Sequence, residues 1–286
     1  MEQLEKTGGQ IAIRKFGIRQ FSTLNCFCGR HDASIFSDIE NVPLVFSPRQ
    51  LALLHYRAVA AELYKKIRMD EANGHHLASF REKPRTRENN DRIELLEAFV
   101  KGTRLGLRDA RLALDECESI LKNEDYARLS ACVVRYKKLP TIMAVGGFYP
   151  EFDFDGRPLQ ALPVSSDRAE TLSFNILASE GRAAVAIIWL KEDSSCLKFA
   201  RSYSNQRSDH LTTLAIQTAF EHLENTCVNP DWWENLKPVE QGVLARRMHV
   251  AGGIVDGRSS SSLQYAGITH DDWEFDKIEF INVDKI

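Results

Sequence analysis

The sequence predicts an α+β protein, on two observations. Apolar residues recur at steps of three and four between residues 93 and 121, and the chain beyond residue 129 breaks into short apolar segments bounded by Pro, Gly and Asp. We therefore expect an N-terminal knuckle-like segment (1–46), a long helical hairpin (47–128), an α+β domain with an antiparallel sheet and packed helices (129–250), and a linker with a docking tail (251–286).

The N-terminal elements are short. Residues 10–16 alternate like a strand, and residues 32–40 have the composition of a short helix. Ser47, Pro48 and Gln50 form a helix start, with Ser at the N-cap, Pro at the first position and Gln at the third. The spacing predicts a helix to about residue 69, followed by an exposed polar connection over 70–90.

The stripe over residues 93–121 is typical of a helix that packs along a coiled-coil seam. At about 1.5 Å per residue, a helix of that length reaches roughly 45 Å. Its natural partner is the preceding helix, packed antiparallel to it as a hairpin.

The second half of the chain reads mainly as strands. We expect strands over 132–136, 141–145, 170–177 and 183–190, with Gly181 in a hairpin turn between the last two. Helices are predicted over 209–227 and 240–249. Glycines and serines over 252–262 indicate a flexible linker, and the apolar tail predicts a terminal strand that docks on its own sheet or on a partner protein.

Composition limits the class of protein. The 286 residues include 37 Lys and Arg and 40 Asp and Glu, so net charge alone would not make the protein bind nucleic acid. Such binding requires a local basic patch. Six scattered cysteines differ from a secreted disulfide scaffold. The chain shows neither a signal-peptide pattern nor an apolar run of membrane-spanning length. We expect a soluble cytoplasmic protein without membrane contact.

Metal-ligand residues crowd together at one place, where Cys26, Cys28 and His31 have C-x-C-x-x-H spacing. Zinc prefers four thiolate or imidazole ligands, and a Cys-x-x-His pair entering a short helix is typical of half a zinc site. Cys28 and His31 are thus the predicted zinc ligands. Cys26 is either a third ligand or a packed thiol, and the fourth ligand is not identified. The alternative is that both cysteines are small packed residues and that His31 caps a helix.

A second interpretation of this segment is catalytic. His31, Asp32 and Glu40 could surround a divalent ion in a metal-dependent nuclease or hydrolase. Asp32 is equally well explained as a helix N-cap. Elsewhere, the spacing of His210 and His222 does not suit a metal pair, which favours surface or helix-core roles for both.

Four basic residues lie in the predicted connection between the two long helices: Arg81, Lys83, Arg85 and Arg87. Lys and Arg on a loop release counterions when they meet a polyanion, so this cluster is a candidate nucleic-acid contact. The alternative is an ordinary solvated loop.

The segment around Cys28 and His31 also resembles a sequence motif, F-C-x-x-H-D-x-x-[IL]-F-x-x-I-E, that an uncharacterised group of bacterial proteins shares. The phrase begins at Phe27 and ends at Glu40. In that group it looks like the second zinc knuckle of an HNH-like treble clef, which implies zinc-ligand roles for Cys28 and His31. This chain departs from the pattern because it has no Cys or His before Cys26, where an HNH nuclease takes its general base.

These observations favour a macromolecule-binding protein with a degenerate structural zinc site, working with a protein partner or a second copy of itself and with nucleic acid as a further partner. Phage defence or other nucleic-acid-linked work enters by analogy with such proteins. The alternatives are a metal-dependent nuclease or hydrolase of HNH-like type, and a structural subunit that dimerises through its long helix.

Overall fold

The computed structural model describes Ile13, Lys15, Gly17 and residues 26–161, 168–251 and 258–284. The predicted strand over 10–16 lies almost entirely outside the described residues. Two short helices follow Cys28: α1 (Gly29–Ile35) and α2 (Ser37–Glu40). They replace the single helix predicted over 32–40, because the chain breaks at Phe36, whose buried ring packs on α3.

The long helical hairpin is confirmed, with α3 at Pro48–Arg81 and α4 at Arg87–Asn123. Helix α3 begins as predicted: the hydroxyl of Ser47 accepts from the amide of Gln50, whose side chain accepts from the amide of Ser47. The predicted end near residue 69 was wrong, and so was the long connection. Packing against α4, with Leu77 buried between the helices, carries α3 through Gly74.

The predicted antiparallel sheet is confirmed, and it has six strands, of which the short one over 226–228 was not predicted. Its strands, listed in chain order, are β1 (Leu129–Tyr136), β2 (Ile142–Phe148), β3 (Leu172–Ser179), β4 (Arg182–Leu190), β5 (Thr226–Val228) and β6 (Phe275–Ile281). Their order in space is β5-β2-β3-β4-β1-β6. Gly181 occupies the β3–β4 turn with a φ of +77°, a conformation that glycine adopts without a Cβ penalty.

Four more helices complete the described chain: α5 (Ser194–Ser204), α6 (Leu211–His222), α7 (Pro230–Asn235) and α8 (Pro238–Ala251). The pattern analysis did not predict α5 or α7. Helix α6 is shorter than the predicted 209–227 because the chain leaves it to pair as β5 with β2. Helix α8 matches the helix expected over 240–249.

The sheet is covered on both faces, which gives three layers. The first turns of α3 and the last turns of α4 share one core with Ala131, Val133 and Ile188. On the opposite face α5 and α6 share a larger core with the alternate residues of the same strands. Both faces of β1, β3 and β4 are therefore buried. Strand β4 is an almost continuous apolar run, whereas β3 also buries the polar side chains of Ser173 and Asn175.

The C-terminal tail docks on its own sheet, because β6 pairs antiparallel with β1. Just before it, Trp273 is buried edge-on against Tyr136, with ring centroids 5.4 Å apart. The predicted flexible linker falls partly on residues 252–257, which lie outside the described residues. The Ser259–Ser262 part forms a turn, preceded by Arg258, which pairs with Glu151.

The far half of the hairpin forms what we call the arm, residues 70–105. Closer to the sheet, Lys65 pairs with Glu224, whereas in the arm the pairs of Arg104 with Asp70 and of Arg81 with Glu97 join α3 to α4. The arm has its own small core of Leu77, Ile93 and Val100. The part of the arm in α3 has twelve residues and a length of about 18 Å, and the part in α4 has nineteen residues and a length of about 28 Å. Among the described residues, no helix combines the length and the apolar character that crossing a bilayer requires.

Candidate functional site

The arm tip, residues 81–92, is where the structure places the predicted basic cluster. Helix α3 ends at Arg81 and α4 begins at Arg87, so the turn is only five residues long. The side chains of Lys83, Arg85 and Arg87 are exposed on this turn and at the start of α4. The structure thus presents three exposed cations at the end of a projecting element, next to the exposed carboxylates of Glu82, Glu88 and Asp91.

Not every predicted cation is free at the tip. Arg81 pairs with Glu97 on α4 at 2.6 Å. Lys83 lies over the ring of Phe80, with Nζ 3.9 Å from the ring centroid. Arg81 therefore helps to join the two helices, while the other three remain presented to solvent.

Hydrogen bonds inside the turn hold the tip in one shape. Thr86 caps α4 by accepting from the amide of Asn89. The buried side chain of Asn89 donates in turn to the carbonyls of Phe80 and Pro84, at 3.0 and 3.2 Å. One asparagine thereby binds a carbonyl in the last turn of α3 and another in the turn itself, which holds the backbone of the tip in place.

The knuckle brings together only part of its predicted zinc site. Cys28 lies at the N-cap of α1, and its Sγ is 3.2 Å from Nδ1 of His31. Both residues are exposed, whereas Cys26 is half-buried and burial raises the pKa of its thiol, which disfavours the thiolate that zinc binds. These residues supply a close pair of ligands, not the four of a structural zinc site.

The two carboxylates predicted for a catalytic site, Asp32 and Glu40, face an arginine side chain. Arg57 on α3 pairs with Glu40 and lies 3.7 Å from Asp32, and its guanidinium covers the ring of Phe36, 4.4 Å from the centroid. Asp32 lies in the first turn of α1 and is not its N-cap. The two carboxylates therefore fasten α1 and α2 to α3, and His31 is not part of that contact. Within the described residues, no group of three or more His, Cys, Asp and Glu is placed to share a metal ion.

Pattern analysis missed a buried polar region between α6, α8 and the segment after residue 258. Glu221 and Arg247 form an almost fully buried ion pair at 2.6 Å, and Arg247 also donates to the carbonyl of Ser262. Of the ten buried, unpartnered polar side-chain atoms in the described residues, nine lie here. They belong to Gln217, Glu221, His222, Arg247, Arg258 and His270.

Burial keeps both histidines of this region neutral at pH 7. The pKa of His222 is held well below its usual value by burial and then by Arg258 and Arg247. Burial also lowers the pKa of His270 to about 4. The ring of His222 stacks on Phe148, with centroids 4.2 Å apart. Its predicted role as a helix-core histidine agrees with this position, and the region as a whole fastens the C-terminal segment to the body.

Comparisons with known proteins add no identification. No protein-family model matches the chain, no curated protein matches its sequence, and no solved structure matches its fold.

Proposed function

We propose that the protein binds a macromolecule through the arm tip, and that nucleic acid is the partner. The observation that carries this proposal is the exposure of Lys83, Arg85 and Arg87 on one ordered turn at the end of a projecting helical hairpin. A role in phage defence or other nucleic-acid-linked work would follow from such binding.

The charge distribution supports a local contact. The whole chain has a net charge of −3, so a polyanion is repelled weakly by most of the surface and attracted where cations gather. Each phosphate that a Lys or Arg neutralises releases counterions, which makes such binding strongly salt-dependent. The hydrogen bonds of Asn89 hold the turn in place, so little ordering is needed on binding.

The test is fluorescence anisotropy with labelled duplex DNA and single-stranded RNA, titrated between about 50 and 200 mM salt. We expect the triple variant Lys83→Ala, Arg85→Ala, Arg87→Ala to bind roughly tenfold more weakly at the low-salt end. The slope of log affinity against log salt should fall by about 2 to 3, close to one for each cation removed.

A matched control removes three exposed cations of the body, with Lys137, Arg182 and Lys198 each changed to Ala. It alters the net charge equally and should bind like the wild type. Equal weakening by both triple variants would show that general charge, not the tip, governs binding. If the unmodified protein bound neither nucleic acid, the proposal would be overturned.

Neither zinc nor nuclease chemistry is part of this proposal, because Asp32 and Glu40 face Arg57 and, among the described residues, no three possible ligands are placed to share a metal ion. The zinc site stays a prediction of the sequence. Metal analysis of the purified protein decides it: one zinc per chain that is lost on Cys28→Ser would support the site, and a metal-free wild type would contradict it.

A further inference from the structure

Strand β6 lies at one edge of the sheet, and in the described residues β1 is the only strand paired with it. An edge strand presents backbone N–H and C=O groups that a further strand can bind. The side chain of Phe280 on β6 is 40% exposed, so the edge also presents an aromatic ring to solvent. This edge is therefore a surface at which another strand could extend the sheet.

The register of the sheet shows which residues of β6 face outwards. The amide of Lys191 donates to the carbonyl of Arg128, so every second residue of β1, counted from Arg128, bonds to β4, and the residues between them bond to β6. Glu279 lies opposite a residue of this second set. The amides and carbonyls of Ile278 and Phe280 therefore point away from β1, towards the open edge.

The exposed charges of β6 are self-complementary. A second copy of the strand, antiparallel about a two-fold axis at Ile278, places Lys277 of each copy opposite Glu279 of the other. Within one chain these two side chains already pair, with Nζ 3.0 Å from Oε1, and the two-fold axis keeps that pair while adding two between the copies. An axis at Lys277 or at Glu279 would place like charges opposite each other, which is destabilising. The charges thus favour a second copy in one register.

We propose that two copies of the chain associate through β6 and join their sheets across a two-fold axis at Ile278. The two Ile278 residues would exchange both of their backbone hydrogen bonds, because outward-facing residues form the hydrogen-bonded pairs. Lys277 and Glu279 of opposite copies would form the closer pairs, with Cα atoms about 4.5 Å apart. Phe280 would cover its diagonal neighbour, Ile278 of the second copy, and bury its exposed ring.

The test is sedimentation equilibrium of the full-length protein at concentrations up to about 1 mM. We expect a reversible equilibrium between monomer and dimer. Lys277→Glu places like charges opposite each other at two positions across the axis, so it should raise the dissociation constant about tenfold. Glu279→Lys should weaken the dimer similarly.

The double variant, Lys277→Glu with Glu279→Lys, reverses both charges and restores their alternation across the axis. Arg135, which lies opposite residue 277 in the β1–β6 register, can pair with the new carboxylate. This variant should therefore dimerise like the wild type. Lys198→Glu is the matched control, because it makes the same change of charge at an exposed position of α5 and should leave the dissociation constant as it is.

A further variant tests the backbone pairing. Phe280→Pro removes an outward-facing N–H and no hydrogen bond to β1, so it should abolish the dimer while circular dichroism shows that the fold is kept. Phe280→Thr retains the amide and should weaken the dimer less.

Several results would overturn the proposal. One is a wild type that stays monomeric at every concentration. Another is a dimer that Lys277→Glu leaves unchanged, because it must form through a different surface, such as the long helix α4. Failure of the double variant to recover the dimer would contradict the register. Since no nucleic acid is present in these experiments, the dimer and the binding at the arm tip can fail independently.

Discussion

At the level of single residues, His55 illustrates how burial sets the response of the fold to acid. It lies on α3 against the sheet, and its Nδ1 is 2.9 Å from Oγ of Ser173 on β3. Burial lowers the pKa of His55 to about 4. The unfolded chain takes up this proton near pH 6.5, so the neutral folded form contributes stability above pH 6.5 that is lost as the pH falls towards 4.

We therefore expect His55→Asn, which keeps a polar partner for Ser173, to flatten the pH dependence of the free energy of unfolding. Between about pH 6.5 and 4 the slope should fall by about 1.4 kcal/mol per pH unit, the contribution of one proton. Urea unfolding at several pH values measures it. His75→Asn changes an exposed histidine and should leave the slope as it is. An unchanged slope in His55→Asn would contradict the assignment.

The Glu221–Arg247 pair carries a second prediction at this scale. Both side chains are buried, so Arg247→Met leaves a carboxylate without its partner and should lower the free energy of unfolding by about 3 to 5 kcal/mol. Changing Glu221 to Met as well should recover most of the loss. Arg92→Met is the control, because its pair with Glu88 is exposed and should be worth less than about 0.5 kcal/mol. Equal effects of the two single changes would contradict the burial argument.

At the level of elements, the arm and the part of the hairpin near the sheet should differ in local stability. Near the sheet, α3 and α4 are buried against β1 and β4, whereas in the arm they bury only a small core between themselves. Elements with few buried apolar contacts open at lower free energy. Amide exchange should therefore be faster over residues 70–105 than in the first turns of α3.

Leu77→Ala tests this difference. Removing a buried leucine costs about 2 to 5 kcal/mol where it packs. We expect lost exchange protection within the arm and unchanged protection of the sheet. Leu54→Ala is the matched change in the core that α3 shares with the sheet. It should reduce exchange protection in the arm and in the sheet. Spread of the Leu77→Ala effect into β3 or β4 would show that the arm is not a separate unit.

At the level of the whole molecule, we expect the body to fold without the arm, because the arm has a small core of its own. Replacing residues 73–101 by a short glycine link joins the two helices close to the ion pair of Arg104 with Asp70, in which Nε lies 3.1 Å from Oδ1. We expect the shortened protein to keep the cooperative unfolding and the sheet signals of the parent while it loses nucleic-acid binding. Circular dichroism and anisotropy measure the two properties, and an unfolded product would contradict this modular view.

Much of this architecture is determined by local sequence. The signals of Ser47, Pro48 and Gln50 place the start of α3, and the three-and-four stripe places α4, because capping and helical periodicity involve residues within a few positions of each other. The same periodicity was present at Cys196, Phe199 and Tyr203, which are all buried, and would have predicted α5. The exposed tip cations are also visible in the sequence.

Only the tertiary structure determined where α3 ends, which cations stay free, and which carboxylates pair with Arg57. The extension of α3 depends on its packing against α4. Arg81 forms an ion pair with Glu97, which is sixteen residues away. The buried pair of Glu221 and Arg247 joins two helices that no short motif connects. Such contacts depend on how separate elements meet, and packing at that distance leaves no periodic trace in the chain. The sequence thus determined the long helices, most of the strands and the basic cluster, whereas the fold decided that the cluster lies at the tip of an arm.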